Sequence, residues 1–143
     1  MKVSKLMSRK LITVSPEDSV ERAVQLLRQR GVRHLLVLKN GRLVGIVSDR
    51  DLKRALDPAK SRKKKLLNLG GLFFLLEPFV IREIMTRDVV SIEPDASAQM
   101  AASLMVEMKF GALPVAKNDK LLGIITETDL LKYFSKLKLD PTL

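Results

Sequence analysis

At 143 residues and 46% hydrophobic, the chain has room for one compact domain with a real core, and with 4% aromatic residues that core must be aliphatic. The absence of cysteine excludes disulfides and thiol catalysis, and a single histidine leaves few parts for acid–base or metal chemistry. The net charge of +10 is unevenly placed, with 18 Lys+Arg against 6 Asp+Glu in residues 1–65 and 8 against 10 in residues 66–143, so the first half favours anionic partners.

In chain order, Leu11, Ile12, Thr13 and Val14 predict a short strand, stopped at Ser15-Pro16 because proline gives a ladder no N–H. Val20, Ala23, Val24 and Leu27 then fall at i, i+3, i+4 and i+7, an apolar stripe on a helix that ends at Gly31, a residue suited to the left-handed turn past a helix. Residues 33–39 and 42–48 are aliphatic runs separated by Asn40-Gly41, the pair that best accepts a two-residue type I′ hairpin turn. A second helix is expected from about residue 49 to 56. Residues 57–83 differ in character. They open on Arg62-Lys63-Lys64-Lys65 and turn apolar from Leu66 to Ile81, a run broken by Gly70-Gly71, Glu77 and Pro78 and shorter than the ~20 residues of a membrane-spanning helix. The apolar part is expected to dock on the rest of the chain or on a second subunit, and the basic run to be a solvated face.

Residues 85–134 then repeat residues 7–56 without gaps at an offset of 78, with fifteen identical positions where random pairing gives about three or four. Ala98, Ala101, Ala102 and Met105 take the places of the first apolar stripe, and Asn118-Asp119 takes the place of the hairpin turn. The expected fold class is α+β: two β-α-β-β-α units packed by pseudo-two-fold symmetry, covering residues 1–56 and 84–143, with Val24, Leu27, Val37, Ile46, Leu104, Val115 and Ile124 buried.

The hairpin end and second helix start of each repeat read Gly45-Ile46-Val47-Ser48-Asp49-Arg50-Asp51 and Gly123-Ile124-Ile125-Thr126-Glu127-Thr128-Asp129. Ser48 with Asp51 and Thr126 with Asp129 are S/T-x-x-D capping boxes, which suffices as a structural explanation. The same geometry also suits a ligand. A helix N-terminus offers unpaired N–H groups to a phosphate, an aspartate one turn in can accept hydrogen bonds from a ribose diol, and the preceding glycine would let a ligand approach the backbone.

At these residues the chain resembles a tandem pair of CBS domains, a Bateman module. The Gly-x-x-[Ser/Thr]-x-x-Asp pattern occurs in both repeats, with the strand ends Thr13-Val14-Ser15-Pro16 and Ser91-Ile92-Glu93-Pro94 and the hairpin start Leu113-Pro114-Val115. The apolar linker is similar, more loosely, to that of small stand-alone CBS proteins of the acetoin-utilisation type. The resemblance implies a homodimer and an adenosine-containing ligand (AMP, ADP, ATP, S-adenosylmethionine, sometimes an NAD-type dinucleotide) in clefts between the repeats. It implies that Asp51 and Asp129 hold ribose hydroxyls, that Ser48 and Thr126 approach phosphate, and that backbone around Thr13, Val14, Ser91 and Ile92 frames adenine. Arg33 and His34 fall where phosphate contacts are expected, although His34 is equally a polar residue at a strand edge. Their second-repeat counterparts are Gly111 and Ala112, so the two clefts are expected to differ.

The leading expectation is a sensor that binds an adenine nucleotide and regulates an unknown partner protein, with no catalytic role and no required cofactor or metal. No basic and apolar leader opens the sequence, so a cytoplasmic location is expected. Two readings of other classes stay open: a basic nucleic-acid-binding protein, disfavoured by the scarcity of aromatic stacking residues, and a structural dimer with empty clefts.

Overall fold

The structure is a computed structural model of the chain and describes residues 1–56, 66–69, 72–75 and 80–138. The elements run α1 (Val3–Leu6), β1 (Thr13–Val14), α2 (Val20–Arg30), β2 (His34–Lys39), β3 (Arg42–Ser48), α3 (Asp49–Leu56), β4 (Leu66–Leu69), β5 (Leu72–Leu75), α4 (Ile81–Ile84), α5 (Ala98–Met108), β6 (Ala112–Lys117), β7 (Lys120–Thr126) and α6 (Glu127–Lys136). They form two units: Ile12–Asp88, and Met1–Leu11 together with Val89–Leu143.

In the first of these, β1 pairs parallel to β2 and β2 pairs antiparallel to β3, in the order β1-β2-β3. The hairpin turns at Asn40 (φ 52) and Gly41 (φ 77), the two positive angles a type I′ turn requires. Helix α2 is held at its start by Ser19, whose Oγ accepts from Arg22 N at 3.2 Å, and at its end by Gly31 in the left-handed region, whose N–H donates to Leu27 O. Its apolar stripe meets the inner face of the sheet, where Val14, Leu35, Val37 and Val47 are buried with Val20, Ala23 and Leu27.

The second unit follows the same plan with two local differences. Asn118 (φ 52) and Asp119 (φ 61) make the hairpin turn without glycine, and Lys109 (φ 58) stands in the left-handed position that Gly31 takes in the first repeat. The parallel strand shrinks to a single bridge between Ile92 and Val115. The cause is Pro114. Its counterpart Leu36 donates its N–H to Ile12 O at 3.1 Å, and proline has no N–H to give the carbonyl of Val90.

Of the residues expected in the core, Leu27, Val37 and Val115 are buried, while Val24, Ile46, Leu104 and Ile124 are half-buried. The strand period of two explains the sheet positions: Val47 and Ile125 point inward at 0% exposure, so Ile46 and Ile124 face the other way. In the linker, β4 and β5 pair antiparallel with Leu66 opposite Leu75 and Leu69 opposite Leu72. The basic run 62–65, Gly70-Gly71, Leu76, Glu77 and Pro78 lie outside the described residues.

Neither unit is a sequence repeat read end to end. Each takes its lead-in from the segment that precedes the other repeat. In the unit Ile12–Asp88, Ile81 N donates to Asp18 O and Arg82 N to Pro16 O, both at 2.9 Å, and Ile81 is fully buried. At the same offset of 78, Val3 N donates to Ala96 O at 2.8 Å and Ser4 N to Pro94 O at 3.0 Å, and Val3 is fully buried. After each short helix the lead-in joins the hairpin. Ile46 and Thr86 exchange backbone hydrogen bonds of 3.1 and 2.9 Å, and Ser8 and Ile124 exchange bonds of 2.9 and 3.0 Å.

Candidate functional site

Each unit carries one site where the hairpin's second strand meets the following helix. Ser48 N donates to Asp51 Oδ2 at 2.9 Å, Ser48 Oγ donates to the same oxygen at 3.0 Å, and Asp51 N donates back to Ser48 Oγ at 3.2 Å. The second unit repeats this closely: Thr126 N and Thr126 Oγ1 donate to Asp129 Oδ2 at 2.8 and 3.1 Å, and Asp129 N donates to Thr126 Oγ1 at 3.3 Å. Both are full capping boxes. In each, the described residues place every bond on Oδ2 and none on Oδ1, so one carboxylate oxygen of a half-buried aspartate keeps its capacity to accept.

The helix N-termini offer less than the sequence suggested. Asp49 N donates to Arg33 O and Glu127 N to Gly111 O, both at 3.0 Å, and the N–H groups of Asp51 and Asp129 are held by the caps. Of the first three N–H groups in each helix, only those of Arg50 and Thr128 make no such bond among the described residues.

The expected role of the glycines is also corrected. A Cβ on Gly45 would lie 2.6 Å from Met85 Sδ and 3.0 Å from Thr86 O, and one on Gly123 would lie 2.5 Å from Ser8 O and 2.9 Å from Met7 Sδ. The space that a Cβ would take on each glycine is filled by the lead-in segment, so glycine is needed here for close packing of chain on chain.

The remaining predicted residues lie on the strands of the two units or at their ends. His34 is paired across the ladder with Ser48, and Arg33 precedes it, exposed, with its carbonyl bonded to Asp49 N. In the second unit the pair is Ala112 with Thr126, preceded by Gly111, so the cationic group is missing there. Thr13 pairs with Leu36 and Val14 with Val37, on the strand next to β2. Val14 and Ile92 are each 5% exposed and their side chains belong to the cores, which leaves their backbone, with exposed Thr13 and Ser91, as the part that can face a ligand. The sequence reading did not single out Val90 or Arg50. Pro114 deprives the Val90 carbonyl of the donor that Ile12 O has, and Arg50 sets a second cation at the cap of α3 where the other unit has Thr128. Both could be found by setting the two repeats side by side.

Among the described residues there is no group of three or more acidic, histidine or cysteine residues that could hold a metal ion, and no helix long and apolar enough to cross a membrane. The CBS domain family matches the chain twice, at residues 3–58 and 81–136. A Methanocaldococcus jannaschii protein is 34% identical over 145 residues, which is 96% of this chain and 32% of that protein. A CBS domain-containing protein of Dictyostelium discoideum is 32% identical over 137 residues, 94% of this chain and 92% of that one. The chain therefore spans about a third of the length of the first relative and nearly all of the second. Among solved structures, the CBS domain pair of protein MJ0100, in complex with 5′-methylthioadenosine and S-adenosyl-L-methionine, matches with a TM-score of 0.80 at 26% identity, covering 96% of this chain and 98% of that one. Two matches that take in most of the sequence, on two units built to one plan, mean that the chain belongs to the CBS domain family as a tandem pair of CBS domains.

Proposed function

We propose that the chain is a regulatory module that binds adenosine-containing ligands at the two capping-box sites and passes its occupancy to a partner protein. The observation that carries this reading is the aspartate in each cap, which holds its helix with Oδ2 and leaves Oδ1 to accept from a ribose diol. The similar CBS pair of MJ0100 was solved with two adenosine compounds, which supports the ligand class.

The two sites differ in charge, and the ligands should differ accordingly. Arg33, His34 and Arg50 gather at the cap of α3, so this site takes a phosphorylated ligand such as AMP, ADP or ATP, with Ser48 beside the phosphate. At the cap of α6 the corresponding residues are Gly111, Ala112 and Thr128, and this site takes an adenosine compound that does not need a cationic partner, S-adenosylmethionine among them. There no donor among the described residues bonds the Val90 carbonyl, because Pro114 has no N–H to give it, and an adenine amine can donate to it.

The test is a thermal-shift panel of AMP, ATP, S-adenosylmethionine, NAD and a short oligonucleotide at two salt concentrations. A specific ligand raises the melting temperature by mass action and persists in salt. A second reading, favoured by the excess of positive charge in residues 1–65, is polyanion binding. That response would appear for the oligonucleotide and fade steeply as salt rises.

A further inference from the structure

The duplicated fold separates what its helices need for packing from what they carry outside. In the first unit α2 and α3 pack together and expose six cations, Arg22, Arg28, Arg30, Arg50, Lys53 and Arg54. At the matching positions of α5 and α6 stand Met100, Val106, Met108, Thr128, Leu131 and Lys132, so the same helix pair folds with one cation in these six places. Arg50 is unfavourable where it stands. It lies in the first turn of α3, where the helix dipole disfavours a cation, and it has Lys53 and Arg54 at i+3 and i+4, the spacing at which like charges repel. Elsewhere this chain answers its cations: Arg82 meets Glu17 at 2.6 Å, and Lys2 and Lys117 meet Asp95 at 3.6 and 3.4 Å. Of the six, only Arg22 has such a partner, Asp18 at 3.8 Å, and the other five make no ion pair with another described residue.

We propose that the outer face of α2 and α3 docks an acidic segment of the regulated partner protein, and that a phosphorylated ligand at the cap of α3 weakens this docking by drawing on Arg50. Charge complementarity selects an anionic occupant. Three further features select protein among the anions. Glu21, exposed, and Asp49, half-buried, lie among the cations, which suits a surface of mixed charge and opposes an unbroken phosphate backbone. Neither helix contains an aromatic residue on which a base could stack. Leu56, 48% exposed, is the one large apolar side chain exposed on these helices among the described residues, enough for a single apolar anchor and too little to enter a membrane surface. The coupling follows from position. Helix α3 begins at the capping-box site and carries three of the six cations, so ligand site and docking face share one helix and one guanidinium. Nucleotide and acidic segment therefore oppose each other, and by linkage each lowers the other's affinity by the same factor. The inference rests on the regulatory reading above, and its failure is told apart from the failure of that reading because the peptide arms of the test contain no nucleotide.

The experiment is fluorescence anisotropy of the full chain with a labelled helical peptide of glutamate, alanine and leucine, at about 50 and about 150 mM salt, the latter giving a Debye length of about 8 Å. The parent is expected to bind this peptide at least about tenfold more tightly than its glutamine analogue, with affinity falling as salt rises. Arg28→Gln with Lys53→Gln should raise the dissociation constant about tenfold. Lys39→Gln with Arg42→Gln, exposed cations of the β2–β3 hairpin, should change it less than about twofold. Should circular dichroism show that the glutamines disturb folding, Arg28→Val with Lys53→Leu installs the residues of the second repeat and reads the same surface. Saturating AMP should raise the peptide dissociation constant at least about threefold, and adenosine should not. A chain that binds the peptide through Arg28 and Lys53 yet shows no melting shift with AMP supports the docking face and refutes the nucleotide reading. The proposal is overturned if the parent does not prefer the acidic peptide, if the Arg28/Lys53 variants bind it as the parent does, or if the Lys39/Arg42 pair loses as much. It is equally overturned if AMP shifts the melting temperature but leaves peptide affinity unchanged, or if a duplex oligonucleotide binds more tightly than the peptide and is lost in the same variants.

Discussion

Replacing Gly45 or Gly123 by alanine adds one methyl group at equivalent places in the two units, yet the two changes should have unequal costs. In a strand interior alanine is otherwise favoured over glycine by roughly 0.5–1 kcal/mol, so any net loss measures the clash. At Gly45 the nearest atom, 2.6 Å away, is Met85 Sδ, the mobile end of a flexible side chain, and the nearest backbone atom is Thr86 O at 3.0 Å. A small rearrangement relieves most of this, and we expect Gly45→Ala to cost about 0.5–1.5 kcal/mol. At Gly123 the nearest atom, 2.5 Å away, is Ser8 O, a backbone oxygen that accepts from Ile124 N at 3.0 Å. Moving it strains or breaks the paired bonds between Ser8 and Ile124, each worth about 1 kcal/mol, in addition to the overpacking, so Gly123→Ala should cost about 2–4 kcal/mol. Urea titrations of both variants, with Met85→Ala and Met7→Ala as cycle partners, separate the causes. Met85→Ala should relieve much of the Gly45→Ala defect, whereas Met7→Ala should relieve little of the Gly123→Ala defect because the backbone oxygen stays. Equal costs at the two glycines, or equal rescue by the two methionine truncations, would refute the packing argument.

The exchanged lead-ins predict that Ile81→Ala lowers stability by about 2–5 kcal/mol and that Val3→Ala, three residues from the chain start, lowers it by more than about 1 kcal/mol, both read from urea midpoints. Losses under 0.5 kcal/mol would show that neither segment is part of its core. Asp51→Ala and Asp129→Ala should each cost about 1 kcal/mol of folding through the cap and about 1.5–3 kcal/mol of nucleotide binding, measured by calorimetry. Variants that lose stability but bind as the parent does would reduce both aspartates to caps. Arg33→Ala should weaken AMP and ATP while leaving adenosine nearly unchanged, and equal losses for all three would remove Arg33 from the phosphate.

Much of the fold was legible because its signals are local. Asn40-Gly41 and Asn118-Asp119 mark hairpin turns that the backbone angles bear out, and the Ser48/Asp51 and Thr126/Asp129 pairs form the caps their spacing suggests. Other local signals went unused. Ser19 and Ser97, an identical pair just ahead of the first helix of each repeat, are N-caps, and the apolar runs on either side of Gly70-Gly71 have the two-residue spacing of a hairpin. The exchange of lead-ins left no local trace. Gly45 touches Met85 and Gly123 touches Met7, partners forty residues and more than a hundred residues away along the chain, and only contact in three dimensions shows which methionine belongs to which glycine.

A duplicated chain also offers a comparison that a single domain does not. Positions kept identical in both copies, such as Met7 with Met85, Gly45 with Gly123 and Asp51 with Asp129, are accounted for by contacts each unit makes for itself: lead-in on glycine, carboxylate on cap. Positions where the copies part company cannot be demanded by that shared architecture. Arg33 against Gly111 and Arg50 against Thr128 change the charge at the caps, while Arg28 against Val106 and Lys53 against Leu131 change the outer helical face. One group of differences lies where a ligand would sit and the other on an exposed helical face. The fold tolerates either residue at each place, so the reason for the choice lies in what each face meets, which is why the substitutions that exchange one repeat's residues for the other's are the most direct probes of both.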